Sequence, residues 1–227
     1  MLKVVVLISA NAEWHSLKAY FPQAGIEQSP MGEYFTHVHI LQPVTYFHGG
    51  WGKISAAATA QYVIDHFQPD LLINLGTCGG FEGRIETGTL ILVEKTIVYD
   101  IIEQMSDPDE AIEHYSTDID LSWLSGSLPI GVRRGLLVSA DRDIVGKDIP
   151  ILVSRYAAVA ADWESGAIAW VANKNRIRCL ILRGVSDIVS VSGGEAYGNL
   201  GLFQQRTDQI MDRLLQSLPA WIQAGMG

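Results

Sequence analysis

The chain has 227 residues, 48% of them hydrophobic, and a formal net charge of −9. That length and apolar content suit one large α/β domain covering residues 1–227 and exclude an intrinsically disordered chain. The acidic balance argues against a nucleic-acid partner, which needs a basic face, and no apolar run approaches the length of a membrane span.

Residues 3–9 (KVVVLIS) form a continuous β-branched run, as in a strand buried on both faces. The opening MLKVVVLISA has neither the length nor the cleavage pattern of a signal peptide, so it reads as a first core strand of a cytoplasmic protein. Glu13 then begins a helical pattern through Trp14, Leu17 and Tyr20, which places a carboxylate at a strand-to-helix junction. Residues 33–48 alternate in places and predict an antiparallel hairpin whose histidines, His37, His39 and His48, face solvent or the sheet edge without metal-ligand spacing. Gly49, Gly50 and Gly52 make a turn before a helix over residues 54–67. This spacing matches neither a dinucleotide fingerprint nor a phosphate-binding loop.

Residues 71–82 (LLINLGTCGGFE) read as a second fully buried strand ending in glycines, and residues 88–98 as a strand pair. The acidic stretch 103–127 predicts an exposed excursion with a short helix, and its charges carry no chemistry. Residues 131–139 are a further strand, and ADRDI (140–144) is the loop at its end. Ala157, Val159 and Ala161 look like the end of a buried strand, and Glu164 opens an apolar helix. CLILRGVSD (179–187) is a leucine-rich strand stopping at Gly184, with Ser186 and Asp187 just beyond it. The Gly/Ser-rich stretch 188–201 suits a mobile lid, and an amphipathic helix over 202–222 closes the chain. Cys78 and Cys179 sit in apolar or glycine-rich strand ends, with no metal spacing and no expected disulfide.

Glu164 and Asp187 thus lie near the carboxyl ends of two apolar strands, where α/β sheets bind ligands. Taken alone, Glu164 reads equally as a helix cap and Asp187 as an ordinary turn residue. The set ISANAE, LGTCGG, WES and VSD, in that order, resembles the purine nucleoside phosphorylase/nucleosidase superfamily. The branch it most resembles is the 5'-methylthioadenosine/S-adenosylhomocysteine nucleosidases.

The resemblance implies a three-layer α/β/α fold with a mixed central sheet and a purine nucleoside substrate. Glu13 and Asp187 would be catalytic. Thr77, Gly79, Ile144, Trp163, Glu164, Ser186 and Tyr197 would bind substrate. No cofactor or metal is implied, and members of the branch are homodimers. Trp51 and Trp123 stand in loop-like contexts and are read either as interface or as local packing.

Phosphorolytic relatives carry an arginine three residues before the Ser/Thr of the LGTCGG loop, where this chain has Asn74, and no arginine precedes Arg84. A phosphate dianion needs forked cationic donors, so water is the expected nucleophile. The chain departs from the branch at Asp143, where a phenylalanine stacks on adenine, and at Trp163, where a methionine is usual. These changes leave open a phosphorylase or a nucleosidase of different base choice, such as a futalosine hydrolase. A non-catalytic nucleoside-binding protein on the same fold is also open, although a binder has no need of both Glu13 and Asp187.

Overall fold

The structure is a computed structural model that describes residues 2–39, 42–124 and 127–226. Residues 40–41 of the expected hairpin and 125–126 of the acidic excursion lie outside this set. The chain begins with strand β1 (Val4–Ile8), helix α1 (Asn11–Tyr20) and strands β2 (Glu27–Ser29), β3 (Gly32–His39) and β4 (Gln42–His48). Helix α2 (Lys53–Phe67) leads to β5 (Leu71–Phe81) and β6 (Leu90–Val98), then α3 (Pro108–His114), β7 (Ser116–Asp118) and β8 (Arg133–Ser139). A 3₁₀ turn (Gly146–Asp148) precedes α4 (Ile149–Tyr156), β9 (Ala160–Asp162) and α5 (Ser165–Lys174). Strands β10 (Arg178–Ser190) and β11 (Gly193–Gly194) come next, and α6 (Leu200–Ala224) closes the chain.

All five residues of β1 are buried, as its unbroken β-branched run requires. Its side chains alternate between two cores. Val4, Val6 and Ile8 meet Trp14, Leu17, Leu214 and Trp221 of α1 and α6. Val5 and Leu7 meet Ala60, Val63, Ile168 and Ala172 of α2 and α5. Period-two alternation in a two-sided sheet gives the three layers expected from the sequence.

Sheet order runs β2-β3-β4-β1-β5, with β1 parallel to β4 and β5. Beyond β5 the sheet closes on itself. β5 pairs with β10, β10 with β6, β6 with β8, β8 with β9, and β9 returns to β5. Strands β5 and β10 are long enough to serve both the open sheet and this closed part, which the linear sequence does not reveal.

Several local expectations change. Residues 88–98 hold one strand rather than a pair, and the acidic excursion includes β7, which pairs with β6. His48 faces inward, its ring stacked on Trp14 at 5.2 Å and 7°. The strand expected to stop at Gly184 runs on to Ser190, because it keeps pairing with β5 as far as Phe81.

Candidate active site

The carboxyl ends of β5, β8, β9 and β10 and the start of α1 surround a cavity of about 740 Å³. Every residue assigned from the sequence lines it: Glu13, Thr77, Gly79, Ile144, Trp163, Glu164, Ser186, Asp187 and Tyr197. Fold closure therefore gathers at one rim residues that lie far apart in the chain.

Glu13 is buried and held from two sides. One oxygen accepts from the Ala10 N–H at 3.2 Å, which caps the first turn of α1. The other accepts from the Thr77 N–H at 2.6 Å and from the Thr77 hydroxyl at 2.9 Å. The helix cap and the Thr77 contacts thus use opposite oxygens of one carboxylate. Burial raises its pKa, opposed chiefly by the positive charge of Arg183 and then by the Thr77 donors.

Glu164 stands at the N-cap position of α5 but its side chain caps nothing there. The capping work falls to Asp162, whose oxygens accept from the Ser165 N–H at 3.2 Å. Glu164 reaches instead to the glycine turn, accepting from the Gly52 N–H at 3.0 Å. Gly52 has φ +86°, a backbone setting that favours glycine and turns its N–H toward the carboxylate. Burial raises the Glu164 pKa, and the neighbouring Asp162 charge adds to the effect.

Asp187 is no turn residue. It pairs across to Gly79 of β5, beyond a register shift at Ser186. One oxygen lies 2.8 Å from the Ser186 hydroxyl. The other, Oδ2, is buried and makes no close hydrogen bond among the described residues, although the Ala196 N–H lies near the carboxyl and favours its charged form. Burial raises its pKa as well. Gly79 sits between Asp187 and Ala161 in the ring, and a Cβ there would stand 2.5 Å from the Ile144 side chain. Tyr197 donates from its hydroxyl to the Ile144 carbonyl at 3.1 Å, tying the lid segment to the loop after β8. Trp163 and Trp51 form an aromatic pair, ring centres 5.5 Å apart. Asp143 lines the same cavity, as does Arg142, whose guanidinium is paired with Asp148 at 2.8 Å.

Asp162, which lines the cavity, and Arg183, which lies behind it, are absent from the sequence reading. Arg183 of β10 is fully buried behind Glu13. Its guanidinium donates to Asn74 Oδ1 at 2.6 Å and to the Ser165 hydroxyl at 3.0 Å, and it pairs with Asp162 at 2.8 Å. Asp162 also accepts from the Ser139 hydroxyl at 2.6 Å. The signal for Arg183 is a charged residue inside an otherwise apolar central strand, a position that requires a buried partner. Opposite it, Gly76 leaves the room: a Cβ there would lie 2.1 Å from Arg183 Nη1 and 2.6 Å from Glu13 Oε1.

Three carboxylates, Glu13, Asp162 and Glu164, surround the one guanidinium of Arg183. Burial raises the pKa of Glu13, and that of Glu164 to about 8, so the fixed feature of that corner is a cation already engaged by Asp162 and Asn74. The corner is poorly suited to a phosphate dianion and well suited to a neutral molecule and a developing positive charge. Among the described residues no group of three His, Cys, Asp or Glu has the geometry to hold a metal ion. No helix among them is long and apolar enough to cross a membrane.

A 5'-methylthioadenosine/S-adenosylhomocysteine nucleosidase of Buchnera aphidicola is 28% identical over 149 residues, 61% of this chain and 64% of that protein. The match therefore spans less than two thirds of the relative's length. The fold is shared with a 5'-methylthioadenosine/S-adenosylhomocysteine nucleosidase from Helicobacter pylori bound to butyl-thio-DADMe-Immucillin-A. The TM-score is 0.81, with 17% identity and coverage of 97% of this chain and 99% of the other. A futalosine hydrolase mutant of the same organism aligns with TM-score 0.79 and 18% identity over 97% and 99% of the two chains. Residues 3–218 match the model of the phosphorylase superfamily, and the chain belongs to that superfamily.

Proposed function

We propose that the chain is a nucleosidase that hydrolyses the N-glycosidic bond of a purine nucleoside, with 5'-methylthioadenosine and S-adenosylhomocysteine as its substrates. One observation carries this reading. A buried carboxyl oxygen without a close hydrogen bond, on Asp187, and a carboxylate gripped by Thr77 beside Arg183, on Glu13, line one cavity with Glu164. Such a pair supplies an acid and a base to a molecule bound between them.

In the reaction, the bond from the anomeric carbon to the base breaks and its electron pair leaves with the purine. Asp187, whose pKa burial raises, gives a proton to N7, so that the base departs neutral. Ser186 orients that carboxyl. Glu164 accepts from the ribose hydroxyls and sets negative charge near the cationic sugar. Glu13 takes a proton from the water that adds to the anomeric carbon, and the Arg183 charge favours the ionised form it needs for this. Thr77, Gly79 and Ile144 bound the sugar and base, and Trp163 and Tyr197 cover them. The two protons then re-equilibrate with solvent. No cofactor enters.

A second reading, a nucleosidase of different base choice, is favoured by Asp143, a carboxylate where an aromatic would stack on adenine. The similarity to a futalosine hydrolase fold is compatible with it. The test is a panel of purine nucleosides differing at the base and at the 5' position, with the released base identified by chromatography. Release of adenine from 5'-methylthioadenosine at the highest kcat/KM supports the first reading, and preference for a 6-oxopurine supports the second. Release of no base from any member contradicts both.

The proposal extends to a cytoplasmic homodimer acting in methionine salvage. Trp51, Ile54, Ile102 and Met105 are exposed by 61%, 84%, 82% and 98% on the turn into α2 and the loop after β6. The Lys53–Asp100 ion pair joins these two segments, and exposed apolar side chains on both suit an interface. Trp123, by contrast, is half-buried against the core and lies 5.9 Å from the Arg178 guanidinium. Local packing accounts for it.

A further inference from the structure

The register of β10 against β5 slips by one residue between Val185 and Asp187, leaving Ser186 as the extra residue of a bulge. A bulge frees a backbone carbonyl from the ladder and re-aims the next side chain, here that of Asp187. The Ser186 carbonyl accepts from Arg206 Nη1 of α6 at 2.9 Å. The same nitrogen donates to Glu195 Oε2, also at 2.9 Å. Glu195 follows β11, the short strand that folds back on β10, and its N–H bonds to the Ile188 carbonyl at 3.1 Å. Two residues later comes Tyr197, which closes on Ile144. Arg206 therefore grips both the bulge that presents Asp187 and the root of the segment that covers it.

Arg206 is not among the residues lining the large cavity and instead walls a second one of about 370 Å³ with Val185, Gly88 and Arg213. Its contacts run to the Ser186 carbonyl and Glu195 and not into the cavity that holds Glu13, so its route to turnover is through Ser186, Asp187 or Glu195.

We infer that Arg206 is a positioning residue for Asp187, fixing the β10 bulge and coupling it to the lid through Glu195. The inference rests on the reading of Asp187 as the group that protonates the base. The titratable and charged groups facing Asp187 are Arg206 from α6, Glu195 and Tyr197 from the lid segment, and Cys78 from β5. Of the two in contact with each other, Arg206 lowers the Asp187 pKa and Glu195 raises it.

The experiment compares Arg206→Ala, Arg206→Lys and Glu195→Gln with the wild-type chain, with 5'-methylthioadenosine and an aryl riboside whose leaving group needs no proton. For Arg206→Ala, kcat on the purine nucleoside falls roughly 10–100-fold, the cost of a misplaced reacting group, while KM stays within about twofold. The aryl riboside is spared, and Arg206→Lys recovers most of the loss. The basic limb of kcat moves up in pH for Arg206→Ala, because Asp187 keeps its proton longer. For Glu195→Gln it moves down. A general loosening of the fold would slow both substrates and would not shift the limbs in opposite directions.

Equal losses on both substrates, or an unchanged rate and pH profile in Arg206→Ala, overturn the inference. Full activity of Asp187→Asn on the purine nucleoside would instead remove the reading of Asp187. The ¹³C titration of the Asp187 carboxyl then decides the matter. A titration displaced by Arg206→Ala supports the coupling, and an undisplaced one refutes it.

Discussion

Glu13 and Asp187 face one cavity with different surroundings, and those surroundings separate their proposed roles. Glu13 has the Arg183 charge and two Thr77 donors, which favour its ionised form against the cost of burial. Asp187 has a buried oxygen without a close hydrogen bond, which favours the protonated form. Glu13→Gln is expected to lower kcat by about 10²–10⁴ while ligand binding persists, because an amide cannot take a proton from water. Asp187→Asn should lose as much on purine nucleosides and little on an aryl riboside. Steady-state kinetics on both substrates and calorimetric binding of a substrate analogue check the pair. Arg183→Met leaves Asp162 without its cation and should cost about 3–5 kcal/mol of stability, read from chemical denaturation. It also removes the main influence lowering the Glu13 pKa, so in the folded fraction the acid limb of kcat should move to higher pH. An acid limb that stays in place would mean that Glu13 is not the base. The carboxylates were legible in the sequence because each stands at a strand end or a strand-to-helix junction. Arg183 was not, because its partner Asn74 lies 109 residues away and only the pairing of β5 with β10 brings them together.

At the scale of elements, β5 and β10 organise the site. Their pairing sets Gly76 opposite Arg183, and Gly79 opposite Asp187. The missing Cβ at Gly76 makes room for both the guanidinium and Glu13. Gly76→Ala is therefore expected to lower kcat about 10²-fold, as misplacement by an ångström does, with a smaller change in KM. A wild-type rate would show that Glu13 has slack in its setting. Periodicity and turn residues made most elements readable: the buried β1, the β3–β4 hairpin, α2 and the long α6. Ring closure by β6, β8 and β9 was not readable, since strand pairing between distant segments leaves no local pattern. Nor was the bulge at Ser186, which ends neither the hydrophobic run nor the strand. Asp187 sits within β10 and not in a turn after it because pairing with β5 resumes beyond that bulge.

The molecule as a whole carries, beside a closed rim of strands, an exposed tryptophan, Trp51, at the cavity. Sedimentation equilibrium across a wide concentration range should give a dimer, and Trp51→Ala should shift the mass toward monomer with a rise in KM. A monomer that turns over at full rate would end the dimer proposal. Layer architecture and the order of motifs along the chain were evident from the sequence, whereas the choice of nucleophile depends on charge assembled by the fold. Asn74 signalled a missing phosphate ligand, and the structure adds a corner where carboxylates outnumber the single guanidinium. The most direct measurement is turnover of 5'-methylthioadenosine with and without excess phosphate, with the sugar product followed by ³¹P NMR. Hydrolysis predicts an unchanged rate, free 5-methylthioribose and no new phosphorus resonance; a phosphate-dependent rate with a sugar 1-phosphate signal would contradict it.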